Sequence, residues 1–284
     1  MNKEYMQVTE LNCPNSSLDL SIPQVMGILN LTPDSFSDGG KYTQLELALA
    51  QVECMIADGA SIIDIGGEST RPDALDVSEE DELARVIPVL IAIKQRFNVV
   101  VSIDTSKASV MSAAIAAGAD MINDVAALRN EGCLAAVAQS TIPVCLMHMQ
   151  GLPRTMQNNP SYEHVINDIV AFFQQRIEAC VNAGIARERI ILDPGFGFGK
   201  TLEQNFHLLA HLSAFSQLKQ PLLIGISRKS MIGNLLNRDV KQRLAGSISA
   251  AVIAAQQGAN IIRVHDVQET VDALKVLQAV TDNQ

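Results

Sequence analysis

The chain has 284 residues, of which 48% are hydrophobic and 18% charged, a composition that suits one large globular domain or two small ones. Its formal net charge of -10 argues against a nucleic-acid or anionic-membrane partner held by bulk electrostatics, so any anionic substrate must meet a locally basic site. Five scattered cysteines without Cys-x-x-Cys spacing argue against disulfides and zinc, and the N-terminus lacks the apolar core of a signal peptide, so we expect a cytoplasmic protein.

The first predicted element is a short hairpin in residues 1–22, where polar and apolar residues alternate around Asn12-Cys13-Pro14-Asn15. From residue 23 onward, apolar runs that end in polar residues alternate with longer amphipathic stretches. The runs predict eight strands, at Gln24–Asn30, Ser61–Gly67, Val99–Thr105, Met121–Val125, Pro143–Met149, Ile190–Gly195, Pro221–Ser227 and Ile261–Asp266.

The stretches between these runs predict amphipathic helices, and Pro88 is expected to kink or split the second of them. The predicted helices are Gln44–Asp58, Ser78–Phe97, Lys107–Ala117, Glu131–Gln139, Ser161–Asn182, Leu202–Ser213, Val240–Gln257 and Val267–Val280. Several helices end in a glycine that is followed closely by the next strand, as at Gly118 and Gly258. Eight β-then-α units favour an α/β fold of the (β/α)8 TIM-barrel type over a doubly wound sheet, with residues 1–284 as one domain, 1–22 as its hairpin and 23–284 as its barrel.

In a TIM barrel the active site lies at the C-terminal ends of the strands, and the polar residues at these ends form two chemical groups. Asp104, Asn123, Asp193 and Lys229 combine the acceptors and donors needed to hold a flat heterocycle by its edge. An aspartate such as Asp193 can accept paired N–H bonds from an amino-pyrimidinone, while the lysine donates to its carbonyl.

The second group is cationic and hydroxylic and is suited to phosphate oxygens. It comprises Thr70, Arg71, Arg228, Arg263 and His265. Asn30, at the end of the first barrel strand, offers a neutral oxygen to a Mg²⁺ ion that is carried mainly by phosphate.

Other polar residues at strand ends have structural interpretations. Asp124 lies beside Asn123 but faces the other side of its strand, so we expect it to cap a loop or helix. Asp64 falls inside its apolar run and is expected to be a buried, hydrogen-bonded carboxylate. His148 is interpreted as a hydrogen-bonded wall, and Met147 as the floor of a ring pocket. The remaining histidines lie on helical patterns and are expected at the surface.

The glycine-rich stretch Ile190–Thr201 narrowly fails the pattern of a nucleotide-binding P-loop. Its Gly199-Lys200-Thr201 ending matches that motif, but the required first glycine falls on Pro194. Asp193 is therefore interpreted as a ring acceptor at a strand end, and Thr201 as the cap of the next helix, with Gln204 three residues on.

Together, these segments resemble the dihydropteroate synthases, the folate-pathway enzymes that sulfonamides inhibit. The resemblance runs from about Leu18 to Val280. The matching phrases are Met26-Gly27-Ile28-Leu29-Asn30, Thr32-Pro33-Asp34-Ser35-Phe36, Gly66-Gly67-Glu68-Ser69-Thr70-Arg71-Pro72, Ser102-Ile103-Asp104-Thr105, Ile122-Asn123-Asp124, Leu146-Met147-His148-Met149, Asp193-Pro194-Gly195-Phe196-Gly197-Phe198-Gly199-Lys200, Ser227-Arg228-Lys229-Ser230 and Arg263-Val264-His265-Asp266. Asp73 departs from the glycine that many members have after the Arg-Pro pair.

The resemblance implies a transferase that joins p-aminobenzoate to 6-hydroxymethyl-7,8-dihydropterin pyrophosphate, giving 7,8-dihydropteroate and pyrophosphate. It also implies Mg²⁺ and a homodimer, and it makes Asp104, Lys229 and Asn30 the catalytic candidates. The implied pterin site is Asp104, Asn123, Met147, Asp193 and Lys229; the implied pyrophosphate site is Asn30, Thr70, Arg263 and His265; and the implied p-aminobenzoate site is Phe36, Arg71, Pro72, Phe198 and Ser230, together with Lys229.

An ionisation-first displacement is expected, because an aniline nitrogen is a weak nucleophile and pyrophosphate is a good leaving group. Two alternatives remain. A Schiff-base aldolase would use Lys229 as its nucleophile on a barrel strand. A pterin-binding protein without this activity, or a folate-dependent methyltransferase, would share the ring site but would not need the phosphate-binding residues.

Overall fold

The computed structural model describes residues 9–14, 16–31, 41–69, 76–151 and 160–283, and eight parallel strands enclosed by helices dominate them. The strands are β1 (Glu10–Cys13), β2 (Ser16–Asp19), β3 (Gln24–Asn30), β4 (Ile62–Gly66), β5 (Val100–Asp104), β6 (Met121–Asp124), β7 (Val144–Met147), β8 (Ile190–Asp193), β9 (Leu223–Ile224) and β10 (Ile261–Val264). Strands β1 and β2 form the predicted antiparallel hairpin, and each of the eight predicted barrel strands is present.

The eight parallel strands close on themselves. Strand β3 pairs with β4 on one side and with β10 on the other, and Gln24 lies opposite Ile261. The last gap, between β8 and β9, is bridged where Leu192 lies opposite Leu222, and the Leu192 N–H donates to the Pro221 carbonyl over 2.9 Å. This closure confirms the barrel and excludes the doubly wound sheet, which would leave two free edges.

The helices lie outside the barrel and follow the predicted order. They are α1 (Lys41–Ala57), α2 (Glu79–Arg96), α3 (Ala108–Ala116), α4 (Cys133–Ala138), α5 (Val165–Asn182), α6 (Leu202–Ala210), α7 (Ser230–Leu236), α8 (Leu244–Gln256) and α9 (Val267–Thr281). Among the described residues, none of these helices is long and apolar enough to cross a membrane.

The helices differ from the prediction in three places. Helix α7 was not predicted, and the helix expected at Val240–Gln257 begins instead with a 3₁₀ turn at Val240–Gln242. Helix α2 runs through Pro88 without a break, because its buried face holds Val86 before the proline and Val89 after it. Packing on both sides of the proline therefore outweighs the hydrogen bond that it removes.

Alternation along the barrel strands separates two apolar cores. One set of side chains faces the helices and forms the large core between barrel and helix layer, as Ile63, Val101 and Ile262 do. The residues of the opposite phase face the barrel interior. At its lower end these are Met26, Ile62, Val100, Met121, Cys145, Ile191, Leu223 and Ile261, which form one buried cluster.

The hairpin closes the lower end of the barrel. Leu11 of β1 lies opposite Leu18 of β2, and both join Leu20 in the interior cluster. The Asn260 amide, just before β10, donates to the Leu20 carbonyl over 3.3 Å. The bottom of the barrel is therefore filled by apolar side chains, and only the upper end is left for polar chemistry.

Candidate active site

The same strand alternation brings polar residues into the upper part of the barrel. Two residues beyond the apolar interior layer, the inward phase reaches Asp64, Ser102, Asn123, Met147, Asp193, Gly225 and Arg263. One step further up, it reaches Asn30, Gly66 and Asp104. The strand pairing thus brings together the pterin and pyrophosphate candidates that lie on strands, because all of them belong to the inward phase.

Arg263 joins three of these strands. Its Nε donates to Asp64 Oδ2 over 2.6 Å, and its Nη2 donates to Asp104 Oδ2 over 2.8 Å. The Asn123 amide also donates to Asp64 Oδ2, over 3.2 Å. Asp64 is fully buried, in agreement with its interpretation as a hydrogen-bonded barrel carboxylate. The arginine therefore binds one structural carboxylate and one that faces the site.

Burial and charge act in opposite directions on Asp104. The pKa of its carboxyl is raised to about 7, chiefly by burial, with Arg263 opposing the rise and Asp64 adding to it. Burial would lower the pKa of Arg263, but Asp64 and Asp104 together raise it above its ordinary value. The guanidinium is therefore a fixed cation, and Asp104 is the partner whose charge varies near neutral pH.

Two inward-facing glycines leave space between the functional side chains. A Cβ on Gly66 would lie 3.7 Å from Asn30 Oδ1 and 3.9 Å from Asp104 Oδ2. A Cβ on Gly225 would lie 3.9 Å from Lys229 Nζ and 4.0 Å from Arg263 Cδ. The absence of side chains at the two glycines thus leaves room beside Asn30 and Asp104 and beside Lys229 and Arg263.

Lys229 precedes α7, where its backbone is extended. Its ammonium donates to the Phe196 carbonyl and lies 4.5 Å from the ring centroid of Phe198. Burial lowers its pKa to about 8, although Asp193 raises it. Asp193 has a raised pKa through burial, opposed by Lys229 and by a 2.8 Å bond from the Gly195 N–H. Each of the two groups therefore favours the charged form of the other, which keeps Asp193 an acceptor and Lys229 a donor.

Two candidates for different substrates lie in one apolar cluster. Met147, predicted to underlie the pterin, and Phe198, predicted to border p-aminobenzoate, form a buried cluster with Met149. Half-buried Val125 packs against it. From the sequence, Met147 and Phe198 were assigned to separate pockets, whereas in the structure they belong to one wall.

The remaining strand-end residues have different environments. His265 Nδ1 lies 3.1 Å from Ser227 Oγ, and the His265 backbone N–H donates to the same oxygen. Ser230 is exposed as the first residue of α7. Arg228, grouped from the sequence with the phosphate donors, instead forms a two-pronged ion pair with Asp266. Its guanidinium therefore links the ends of β9 and β10.

The structural interpretations of Asp124 and His148 agree with the geometry. Asp124 accepts the Ala126 and Leu128 N–H groups over 2.7 and 2.6 Å, so it caps the loop after β6. His148 is buried edge-on against Phe172, with ring centroids 4.9 Å apart. Burial lowers its pKa to about 2, so the ring is neutral and forms part of a wall.

Four candidates, Phe36, Thr70, Arg71 and Pro72, lie outside the described residues. The last three of these lie in residues 70–75. The residues that flank this segment are held by an ion cluster that was not predicted. The Lys107 ammonium donates to Glu68 and to the fully buried Glu82. Glu68 also accepts the Val77 N–H over 2.9 Å, so one carboxylate binds both sides of that segment. Lys107 is 39 positions from Glu68 and 25 from Glu82, and no local pattern connects them.

A second unpredicted residue is Lys200, in the glycine-rich stretch after β8. It is only 3% exposed, and its ammonium donates to carbonyl groups of its own loop. A lysine after several glycines resembles a phosphate ligand in sequence. Its burial depends on contacts with its own loop and with His148 after β7, which could not be predicted.

Comparison with known proteins identifies the family of the chain. The family described as "Pterin binding enzyme" matches residues 26–265. The dihydropteroate synthase of Haemophilus influenzae is 54% identical over 273 residues, covering 96% of this chain and 99% of the relative.

Solved structures give the same result. The Yersinia pestis dihydropteroate synthase in a sulfonamide drug complex superposes with a TM-score of 0.92 at 56% identity, covering 96% of this chain and 99% of that one. The Xanthomonas albilineans dihydropteroate synthase in complex with 7,8-dihydropteroate superposes with a TM-score of 0.88 at 48% identity, covering 96% and 98%. The chain therefore belongs to the dihydropteroate synthases, within the pterin-binding enzyme family.

Proposed function

We propose that the chain condenses p-aminobenzoate with 6-hydroxymethyl-7,8-dihydropterin pyrophosphate at the top of its barrel, giving 7,8-dihydropteroate and pyrophosphate. This makes it a transferase of folate synthesis and a sulfonamide target. The observation that carries the proposal is the inward-facing polar layer, in which Asp104, Asn123 and Asp193 share one space with Lys229 and Arg263.

The pterin is assigned to the lower part of that space. Asp193 and Asn123 offer a carboxylate and an amide to the edge of the ring, and Lys229 donates to its carbonyl. Met147 supplies an apolar surface for one face of the ring. A planar ligand with alternating donors and acceptors satisfies these groups better than a sugar or an aliphatic chain does.

The pyrophosphate is assigned to the space beside Gly66. Arg263 and His265 are the described donors, and Thr70 is proposed to join them. Arg263 is already held by Asp64 and Asp104, so its orientation is set before a substrate arrives. A donor held in place in this way loses little conformational entropy when it binds an anion.

The residues present fit a Mg²⁺ ion that keeps most of its water. Asn30 has its amide oxygen beside the open space over Gly66, and no group of three His, Cys, Asp or Glu residues in the described ranges could form a metal cage. One neutral protein ligand suits an ion held mainly by phosphate oxygens and water. When bound, Mg²⁺ neutralises charge on the pyrophosphate. Activity that survives chelation with EDTA would count against this assignment.

The displacement is proposed to proceed by ionisation first. The bond between the pterin methylene and the pyrophosphate oxygen breaks, and its electron pair leaves with the pyrophosphate. The p-aminobenzoate nitrogen then attacks the methylene cation and loses a proton to solvent. Asp104, when ionised, stabilises the positive charge that develops on the dihydropterin, and Arg263 stabilises the departing anion. This route needs no strong general base, and His148 is neutral and occupied by packing.

The p-aminobenzoate is assigned to the outer part of the site. Phe198 provides an aromatic wall, Lys229 a cation close to it, and Ser230 a hydroxyl at the exposed start of α7. Phe36, Arg71 and Pro72 are proposed to complete this pocket. An aromatic carboxylate matches the combination of an apolar wall and cationic donors.

One reaction mixture tests the function. The protein is incubated with the pterin pyrophosphate, p-aminobenzoate and Mg²⁺, and 7,8-dihydropteroate is sought by mass spectrometry. The expected product appears only when all three components are present. Absence of product from folded protein would overturn the proposal, while borohydride trapping of a substrate on Lys229 would favour the aldolase.

A homodimer is proposed from the exposed apolar side chains of the last three helices. Leu235, Ile253 and Val276 are 59%, 42% and 67% exposed, on α7, α8 and α9 respectively. Apolar groups of this size on neighbouring helices favour burial against a second copy of the chain. Analytical ultracentrifugation should give twice the chain mass, and Val276→Glu should shift the distribution towards the monomer; a wild-type monomer would exclude the proposal.

We also propose a cytoplasmic location. All five cysteines lie in described parts of the chain and are free thiols, and three of them are buried. A free-thiol protein suits a reducing compartment. Recovery of the protein in a membrane or secreted fraction would contradict this location.

A further inference from the structure

The loop from Gly195 to Gly199 directs its carbonyl groups at cations. Gly195, Gly197 and Gly199 have φ angles of +70°, +77° and +60°, so every second residue adopts a left-handed conformation that favours glycine. In a phosphate-binding loop, backbone N–H groups surround an anion. Here the polarity is reversed, because two loop carbonyl oxygens accept from the Lys200 ammonium and a third accepts from Lys229.

Lys200 binds the loop through its buried ammonium group. Its Nζ donates to the Gly195 carbonyl over 2.8 Å and to the Phe198 carbonyl over 3.2 Å, and it lies 3.2 Å from His148 Nδ1. His148 is neutral, so its Nδ1 can accept the third hydrogen bond. All three N–H groups of the ammonium are therefore used within the protein. Burial also lowers the Lys200 pKa to about 7, which Asp193 opposes.

Three further side chains form hydrogen bonds with the same loop. Lys229 donates to the Phe196 carbonyl, the Tyr162 hydroxyl donates to the Gly199 carbonyl over 2.8 Å, and Asn205 Oδ1 accepts the Gly197 N–H over 2.7 Å. The loop also lies directly on the residues that follow β7, because a Cβ on Gly195 would come within 1.9 Å of the His148 carbonyl oxygen. Its position is thus set by polar contacts at nearly every residue.

The loop carries one side chain and one contact that belong to the proposed site. The Phe198 ring lies 4.5 Å from Lys229 Nζ, and the Phe196 carbonyl binds that same ammonium. A displacement of the loop would therefore move the aromatic wall and change the direction of the Lys229 ammonium. Asp104 and Asn123 lie on β5 and β6 and are held by the Arg263 cluster. These two pterin residues do not depend on this loop, whereas Asp193, Met147 and Lys229 of the same site contact it.

We propose that Lys200 is a positioning residue for p-aminobenzoate, which acts by binding the carbonyl groups of Gly195 and Phe198 and thereby fixing the Phe198 ring against Lys229. The inference rests on the proposed function, because it assigns this wall to the second substrate. Lys200 itself lies behind the loop and does not contact substrate. Its role is to keep the outer pocket formed before p-aminobenzoate arrives.

Two uncharged variants test the inference. Lys200→Met keeps an unbranched apolar side chain but removes the N–H donors, while Lys200→Gln, with a side chain as long as that of Met, keeps two donors. We expect Lys200→Met to raise the KM for p-aminobenzoate about tenfold, since two charge-assisted hydrogen bonds to the loop are lost. Lys200→Gln should raise it about threefold. The dissociation constant of 6-hydroxymethylpterin, measured by calorimetry, should rise clearly less than this KM in each variant, because Asp104 and Asn123 keep their positions.

The two constants separate a positioning role from a general structural role. An equal loss of pterin and p-aminobenzoate binding, or an unchanged KM for p-aminobenzoate, would overturn the inference. If Lys200→Met does not fold, the same comparison for Lys200→Gln decides. If the wild-type protein forms no dihydropteroate, the proposed function fails, and calorimetry with p-aminobenzoate, 6-hydroxymethylpterin and pyrophosphate then tests the pocket without turnover.

Discussion

Arg263 Nη2 donates to Asp104 Oδ2 over 2.8 Å, so the carboxylate proposed to stabilise the pterin cation is held by the arginine proposed to receive the leaving group. The negative charge of Asp104 is thus assigned to the pterin end of the breaking bond, and the positive charge of Arg263 to its pyrophosphate end. Asn at position 104 would keep a similar shape but would lose the negative charge.

We therefore expect Asp104→Asn to lower kcat about 100-fold and to weaken 6-hydroxymethylpterin binding by less than about fivefold, because the charge matters most in the transition state. Steady-state kinetics and calorimetry measure the two quantities. Equal losses in turnover and affinity would show that Asp104 only binds the ring.

His148 predicts a pH dependence of stability. Its folded pKa of about 2 lies below the ordinary value of 6.5, so between these values the unfolded chain binds a proton that the folded chain does not. The stability from this group is present above pH 6.5 and is lost as the pH falls. From pH 7.5 to 5 the loss is about 2 kcal/mol.

Urea denaturation at the two pH values measures the difference, which His148→Gln should reduce by that amount. His164→Gln, at the exposed start of α5, is the matched control and should keep the wild-type difference. A wild-type-like difference in His148→Gln would show that other groups cause the pH dependence.

The ion cluster at the stem of residues 70–75 predicts a large loss of stability when its lysine is removed. In Lys107→Met the carboxylates of Glu68 and Glu82 remain, and that of Glu82 is fully buried. We expect the free energy of unfolding to fall by about 3 kcal/mol, as found when one partner of a buried ion pair is deleted.

The double variant Lys107→Met/Glu82→Gln should recover part of this loss, because it also removes the buried charge. Arg96→Met, which breaks an exposed ion pair with Glu46 at 3.6 Å, should cost less than about 0.5 kcal/mol. Equal effects of Lys107→Met and Arg96→Met in urea denaturation would refute a special role for the buried cluster.

Alanine substitutions at Gly195 and Gly118 distinguish the cost of backbone strain from the cost of steric overlap. Both have positive φ angles, +70° and +93°. A Cβ on Gly118 meets nothing within 4 Å, whereas a Cβ on Gly195 would come within 1.9 Å of the His148 carbonyl oxygen. We expect Gly118→Ala to cost about 1 kcal/mol of stability and Gly195→Ala more than about 3 kcal/mol. Similar losses in thermal unfolding would mean that the loop after β8 can move away from β7.

Unlike Gly195→Ala, a substitution at Gly66 should lower activity without lowering stability. A Cβ there makes only ordinary contacts, at 3.7 Å from Asn30 and 3.9 Å from Asp104. Gly66→Ala should therefore unfold within about 0.5 kcal/mol of the wild type, yet lower kcat/KM for the pterin pyrophosphate at least about tenfold by filling the ligand space. Wild-type kinetics in this variant would show that the substrate does not occupy the space over Gly66.

The barrel could be predicted because each of its units carries its own local signals. Apolar runs end in polar residues, and glycines such as Gly59 and Gly258, both with φ near +100°, end the helices before the strands begin. Thr201 and Gln204 form the capping box expected from their spacing. Strand alternation then carries the inward-facing residues into one layer.

The features that were missed depend on distant packing or on competing interactions. Helix α7 is only seven residues long and exposes Leu235 and Leu236, so it has no clear amphipathic pattern. Arg228 matched the chemistry of a phosphate donor, but Asp266, 38 residues away, binds its guanidinium. Lys200 has the sequence context of an exposed ligand, and only the fold shows that it is buried.

The hairpin that closes the lower end of the barrel has a consequence for the order of assembly. Leu20 and Asn260 are joined by a hydrogen bond across 240 positions, and Leu11 shares its cluster with Ile261. During synthesis the hairpin leaves the ribosome well before β10, which lies about 240 positions further along the chain. Contacts this distant in sequence are slow to form, and until they do the interior apolar layer is open to solvent and to other chains. The nascent protein is thus most exposed to aggregation and to chaperones just before its last strand is released.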